Sequence, residues 1–216
     1  MADKEILIFV EGSSNKVFLE VYLYFLEDLP IKNFNVRSTN GKDNLSKRLL
    51  ETEKYAKTLI IFDADKDYES NKKEILSKTQ QKITEEQIFL FPNNQDDGDL
   101  ETLLLEIAEH KEIIQCFKRY LKCIECKYIG IKEHHELIKN IRKNMLYAYL
   151  EVFELQKFFQ YEWDINNKKN EKKIIIDDKG KIRKEYKEEY EKLKEVIDFN
   201  SNSLIPLKNF LGQFAK

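Results

Sequence analysis

The stretch Ile60-Ile61-Phe62-Asp63-Ala64-Asp65-Lys66-Asp67 joins an apolar run to three carboxylates at alternate positions. Thr58 to Phe62 is β-branched, aliphatic and aromatic without polar alternation, the pattern of a strand buried on both faces. If Asp63 and Asp65 continue the extended backbone, their side chains point to the same side, because strand side chains alternate with period two. Two carboxylates at the end of a buried strand repel one another and raise each other's pKa. A hard divalent cation such as Mg²⁺ relieves that repulsion. Asp also makes turns well, so spacing alone leaves the cation site and the acidic turn both open.

Outward from this strand, three further strands are expected: Ile6 to Val10, Phe34 to Ser38 and Gln87 to Phe91, the last ending at Pro92. Between the first two, Val17, Phe18, Val21, Tyr22, Phe25 and Leu26 recur at helical spacing, with Ser13 or Ser14 as N-cap and Pro30 as stop. Leu45, Leu49 and Leu50 mark a second helix, and Ile75, Leu76 and Ile83 a mostly exposed third. Strands alternating with helices imply right-handed βαβ units and a parallel α/β sheet, in which ligands sit beyond the carboxyl ends of the strands. Glu11, Asp63, Asp65, Asp67 and the acidic segment after Phe91 all fall there.

Beyond Leu100 the pattern becomes helical: Leu100 to Ala108, Glu112 to Lys127, Glu133 to Phe159 and Lys184 to Ile197. An apolar tail, Leu204 to Phe214, is expected to dock on the body. The reading is therefore an α/β domain over 1–108 and a helical extension over 109–216 packed on it, with a charged irregular loop around 166–184.

At 216 residues the chain is long enough for a sizeable core, and 42% hydrophobic with 12% aromatic content supports one. A net charge of -2 removes the usual footprint of a strongly basic nucleic-acid-binding domain, so phosphate contact must come from local patches or a bridging metal. With no apolar run of membrane-spanning length and no signal-peptide pattern, a cytoplasmic, membrane-free protein is expected. Three cysteines fit a reduced compartment better than a disulfide framework.

Glu11-Gly12 directly follows the first strand, and a carboxylate there can ligate a metal or transfer protons in phosphodiester chemistry. Asp96, Asp97, Asp99 and Glu101 offer ligands for a second metal; alternatively Asp99 or Asp97 caps the helix beginning near Leu100, with Glu101 favourable in its first turn. Gly12 and Ser13 stand at a helix start that can meet an anion, and Lys16 and Lys42 are candidate phosphate contacts or ordinary surface lysines. Cys123 and Cys126 have metal-like spacing, with Cys116, His110, His134 and His135 within reach in sequence. Without a second pair the cysteines read better as buried helix residues. Tyr147, Tyr149, Phe153, Phe158, Phe159, Tyr161 and Trp163 are spaced as core rather than as a base-stacking platform. Lys168, Lys169, Lys172, Lys173, Lys179, Lys181, Arg183 and Lys184 are the best candidate nucleic-acid patch, although the Asp and Glu among them equally suit a solvated loop.

The run Ile8-Phe9-Val10-Glu11-Gly12 before a helix, followed by Ile60-Ile61-Phe62-Asp63-Ala64-Asp65, resembles the Toprim domain of topoisomerases, bacterial primases, recombination proteins and overcoming-lysogenization-defect nucleases. Phe91-Pro92-Asn93-Asn94, Gly98-Asp99-Leu100-Glu101-Thr102-Leu103-Leu104 and Leu204-Ile205-Pro206-Leu207 are similar to small stand-alone Toprim-like bacterial proteins related to those nucleases. The resemblance covers roughly Glu5 to Ala108 and implies a Rossmann-like parallel sheet of about four strands. It further implies Glu11 as general acid/base or metal ligand, Asp63 and Asp65 as catalytic holders of Mg²⁺ (or Mn²⁺), and Asp67 as a further ligand. The partner would be DNA or RNA and the enzyme a nuclease. No P-loop, zinc module or tyrosine domain accompanies the motif, so a non-catalytic binding or regulatory module in repair, recombination or phage defence stands beside it. A phosphatase of the haloacid dehalogenase type also uses Asp-x-Asp, but Lys66-Asp67 replaces its Thr, and the pair follows the third strand rather than the first.

Overall fold

A computed structural model describes residues 6–26, 34–80, 82–127, 141–156, 158 and 184–214. Four strands, β1 (Ile6–Val10), β2 (Phe34–Ser38), β3 (Lys57–Asp63) and β4 (Ile88–Phe91), form one parallel sheet in the order β2-β1-β3-β4. The expected α/β architecture with four strands is therefore present. Each strand is followed by a helical segment: α1 (Ser13–Phe25), α2 (Leu45–Arg48) between two 3-10 turns, α3 (Tyr68–Lys78) and α4 (Leu100–Glu106). Then come α5 (Lys111–Lys127), α6 (Ile141–Glu151), α7 (Lys184–Val196) and α8 (Ile205–Gly212). No described helix is long and apolar enough to cross a membrane.

The alternation of side chains along the strands splits the core in two. Ile8, Val10, Ile61, Phe89 and Phe91 face α1, α4, α6 and the carboxyl-terminal helices, while Leu7, Phe9, Ile60, Phe62 and Leu90 face Leu45, Ile75 and Ile83. The first face is much the larger, because Leu204, Leu207, Phe210, Leu211 and Phe214 of the tail are buried in it as expected. Burying residues of that size contributes roughly 1.5–3 kcal/mol each. At the outer edge of β4, Asn94 Oδ1 accepts from Leu90 N–H at 3.0 Å and Asn94 N–H donates to Leu90 O at 2.7 Å. One residue, through its side chain and its backbone N–H, thus closes that part of an edge open to another strand.

Five local expectations differ. Ile83, placed with Ile75 and Leu76 on a mostly exposed third helix, is buried beyond the end of α3 at Lys78. The N-cap of α1 is Gly12, not Ser13 or Ser14. Leu50 is 72% exposed, because the chain after Arg48 tightens from α to 3-10 and rotates it off the Leu45–Leu49 face. Cys116 and Cys123 are exposed on α5 rather than buried, since that helix turns Ile114 and its neighbours inward instead. The helix expected to reach Phe159 ends at Glu151. There Glu154 adopts φ 62°, its N–H bonds Glu151 O and Leu155 N–H bonds Leu150 O, a Schellman stop with both leucines buried.

Candidate functional site

In the order β2-β1-β3-β4 the connections leave β1 on one side and return on the other, so β1 and β3 flank the switch point of the sheet. Val10 lies beside Ile61 in the register, so that Glu11, one residue beyond Val10, and Asp63, two beyond Ile61 and the last of β3, come out at the same end of the sheet. Asp63 N–H points at Glu11 Oε2 at 3.4 Å. Asn15, buried at the third position of α1, accepts from Gly12 N–H at 3.2 Å and donates to Asp63 Oδ1 at 3.1 Å. The same Oδ1 receives Leu100 N–H, at the start of α4, at 3.0 Å.

These contacts hold Asp63 among other carboxylates. Burial, then Glu11, Glu101 and Asp99, push its pKa well above the ordinary range despite the Leu100 N–H. Glu11 is raised by burial, with Asp65 adding to the effect and Lys42 opposing it. Glu101 is raised by burial and by Asp99, against the pull of Lys143 and Arg142. Carboxyl groups are therefore crowded between the ends of β1 and β3 and the start of α4, each held by burial above its ordinary range.

Asp65 belongs to a second group. Its backbone leaves the extended conformation at φ 54°, and its N–H donates to Gly98 O at 2.6 Å. Asp63 and Asp65 thus do not share a face by strand alternation; the turn sends the second carboxylate to Lys42. Lys42 Nζ contacts Asp65 Oδ2, lies 2.6 Å from Asn71 Oδ1 and 3.9 Å from Glu11 Oε2. Asn71 in turn donates to Ala64 O at 2.7 Å and Asp67 O at 2.9 Å. The Lys42 loop is pinned on the end of β1 by Thr39 N–H to Val10 O at 2.9 Å and Gly41 N–H to Glu11 O at 3.0 Å.

The remaining acidic residues work as caps. Asp67 accepts from Ser70 N–H at 2.9 Å and Asp97 from Tyr68 N–H at 2.7 Å, both at the start of α3. Asp99 accepts from Thr102 N–H at 2.8 Å and pairs with Arg142 through its other oxygen at 2.9 Å, so it caps α4. Lys16 is drawn to Glu20 at 3.6 Å, one turn along α1, and the Gly12 N–H is taken by Asn15. Neither Asn15 nor Asn71 stands out in sequence, although an amide three residues after a helix cap is a known back-reaching position.

Hard oxygen donors of this kind suit Mg²⁺ or Mn²⁺, and a cation would relieve the mutual repulsion of the carboxylates around Asp63. Among the described residues, however, no three His, Cys, Asp or Glu side chains are gathered closely enough to hold one. The donors fit by chemistry; their present arrangement divides Glu11, Asp63 and Glu101 from Asp65.

A family model described as a protein of unknown function, DUF3226, matches residues 5–216. The chain belongs to the DUF3226 family. No curated protein and no solved structure matches it. The family match spans both the sheet that carries the site and the carboxyl-terminal tail packed on the sheet's larger core.

Elsewhere in the DUF3226 chain, Tyr149 and Phe158 are buried and Tyr147 and Phe153 pack against the core, as their spacing implies. Tyr149 donates its hydroxyl to Val196 O at 2.7 Å, tying α6 to α7. His110 stacks on Phe153 at 4.9 Å. Phe159, Tyr161, Trp163, His134, His135 and the basic run from Lys168 to Arg183 lie outside the described residues.

Proposed function

We propose that this DUF3226 chain is a Toprim-like, Mg²⁺-dependent phosphodiesterase acting on nucleic acid, most simply a nuclease. The observation that carries the proposal is the emergence of Glu11 and Asp63 side by side at the switch point, in contact at 3.4 Å. Asn15 and Leu100 N–H fix Asp63, so that its carboxylate is oriented before any ligand arrives. Glu11, which burial lifts above the ordinary carboxylate range, can serve as a metal ligand or accept and return a proton. Mg²⁺ held by Glu11, Asp63 and Asp65 would supply charge stabilisation for the phosphodiester undergoing attack. Lys42, at the mouth of the site, offers a cation for the phosphate.

The test uses the purified full chain on single- and double-stranded DNA and RNA, with Mg²⁺, with Mn²⁺ and with chelator. Cleavage that needs the ion and falls at least ~100-fold in Glu11→Gln and Asp63→Asn supports the reading, the scale of loss typical for general acid–base groups. Cleavage untouched by both substitutions, or none with either ion, rejects it.

One observation favours a second reading, a non-catalytic nucleic-acid-binding module that retains the fold. Lys42 already neutralises Asp65, as a residue in a resting structural ion pair would. Ion-independent binding of nucleic acid without turnover is the outcome that would select it.

A further inference from the structure

Among the described residues, Lys42 is the cation within ion-pair distance of both halves of the site. Its side chain is 12% exposed, against 53% for the Asp65 carboxylate it pairs with. The ammonium is held by Asp65 and by Asn71 Oδ1, with Glu11 Oε2 3.9 Å away. It therefore stands between the two carboxylates that a divalent ion would have to bridge, and the same space cannot hold both charges. The loop carrying it is anchored to β1 through Gly41 N–H and Glu11 O, and a four-carbon stem of rotatable bonds separates the ammonium from that anchor. The Asp65 carboxylate marks the side of the site that is open to solvent.

We propose that Lys42 is a resident counter-cation that a divalent ion displaces, and that the displaced ammonium then binds the phosphate of the substrate. This deepens the reading of the site given above and rests on it. Ion and phosphate then bind cooperatively: the ion releases Lys42 from Asp65, and phosphate holds Lys42 away from the ion's position. Linkage makes the effect reciprocal. Asn71 is the positioning residue, since it holds the resting ammonium with Oδ1 while its amide nitrogen is committed to Ala64 O and Asp67 O.

The test is calorimetric titration of the full chain with Mg²⁺, alone and with a cleavage-resistant phosphorothioate dinucleotide, in wild type, Lys42→Met and Lys42→Arg, each checked for folding by circular dichroism. Wild type is expected to bind the dinucleotide more tightly with the ion present. Lys42→Met should bind Mg²⁺ about tenfold more tightly, the effect of ~1.4 kcal/mol, and lose the dependence of dinucleotide affinity on the ion. Lys42→Arg, which keeps the charge, should retain competition. Unchanged or weaker Mg²⁺ binding in a folded Lys42→Met overturns the displacement. Ion-dependent dinucleotide binding that persists in Lys42→Met overturns the role of the released ammonium. No Mg²⁺ binding in any variant overturns the metal reading itself and the coupling with it.

Discussion

Asn15 Nδ2 donates to Asp63 Oδ1 at 3.1 Å while its own Oδ1 takes the Gly12 N–H at 3.2 Å. One buried amide thereby ties the turn after β1 to the last residue of β3, and the separation of Glu11 from Asp63 is set by it. Replacing it by a residue without donor or acceptor leaves a partly buried N–H and a partly buried carboxylate each short of a partner. Asn15→Ala should lose ~1–3 kcal/mol of stability, the cost of an unsatisfied buried polar group. Urea denaturation monitored by circular dichroism checks this. A midpoint equal to wild type would mean that the amide is dispensable.

Asp63→Asn is expected to stabilise the protein at neutral pH in the absence of divalent ions. The asparagine carbonyl can still accept from Asn15 and Leu100, while the charge opposed by Glu11, Glu101 and burial disappears. The sign follows from linkage. A carboxyl whose pKa is raised above its ordinary 3.8 holds its proton more tightly in the folded chain. Stability is thus fullest below the unfolded pKa and is lost as pH rises through the folded one. Melting curves with chelator should show the variant above wild type at pH 7, by a few degrees for ~1 kcal/mol, with the gap closing towards pH 4. A variant less stable at both pH values would contradict this balance of charge.

The strands and the pair of acidic strand ends were readable because they depend on local pattern: unbroken apolar runs, then Glu11-Gly12 and Asp63-Ala64-Asp65. The docking of the tail was readable for the same reason, in Leu204, Leu207, Phe210 and Leu211. What escaped depends on backbone conformation that ordinary residues adopt without any mark in the sequence. Asp65 and Glu154 both have positive φ, at 54° and 62°, yet neither is a glycine. The first turns a carboxylate away from its neighbour and towards Lys42; the second ends α6 early. Asn15 and Asn71 escaped because their partners lie 48 and 29 residues away, at Asp63 and Lys42.

Gly98 carries the turn that receives Asp65. It has φ +148°, and a Cβ there would stand 3.0 Å from Pro92 Cδ and 3.1 Å from Thr102 Oγ1. Gly98→Ala combines a backbone conformation that side chains rarely adopt with contacts that must give way, a cost of ~1–3 kcal/mol for the conformation alone. The Gly98 carbonyl also accepts the Asp65 N–H, so the substitution should disturb Asp65. Chemical denaturation gives the stability loss. Nuclear magnetic resonance shifts of the Asp65 and Lys42 amides, compared with those of distant residues such as Leu193, report the local displacement. An alanine variant as stable as wild type would show that the loop can adopt another path.

Asp99 separates two assignments that spacing leaves open, helix cap and second metal ligand. Its Oδ1 takes the Thr102 N–H at 2.8 Å and the Thr102 hydroxyl at 2.6 Å, and its Oδ2 faces Arg142 at 2.9 Å. An asparagine can keep the cap and lose only the Arg142 pair, which is half open to solvent and worth ~0–1 kcal/mol. Alanine loses both, and capping alone typically contributes ~1 kcal/mol. Asp99→Ala should therefore melt below Asp99→Asn, and Asp99→Asn should lie close to wild type, with Mg²⁺ affinity unchanged in calorimetry. If Asp99→Asn instead weakens Mg²⁺ binding about tenfold while leaving stability intact, a shift of ~1.4 kcal/mol in binding alone, the carboxylate serves an ion and the cap is secondary.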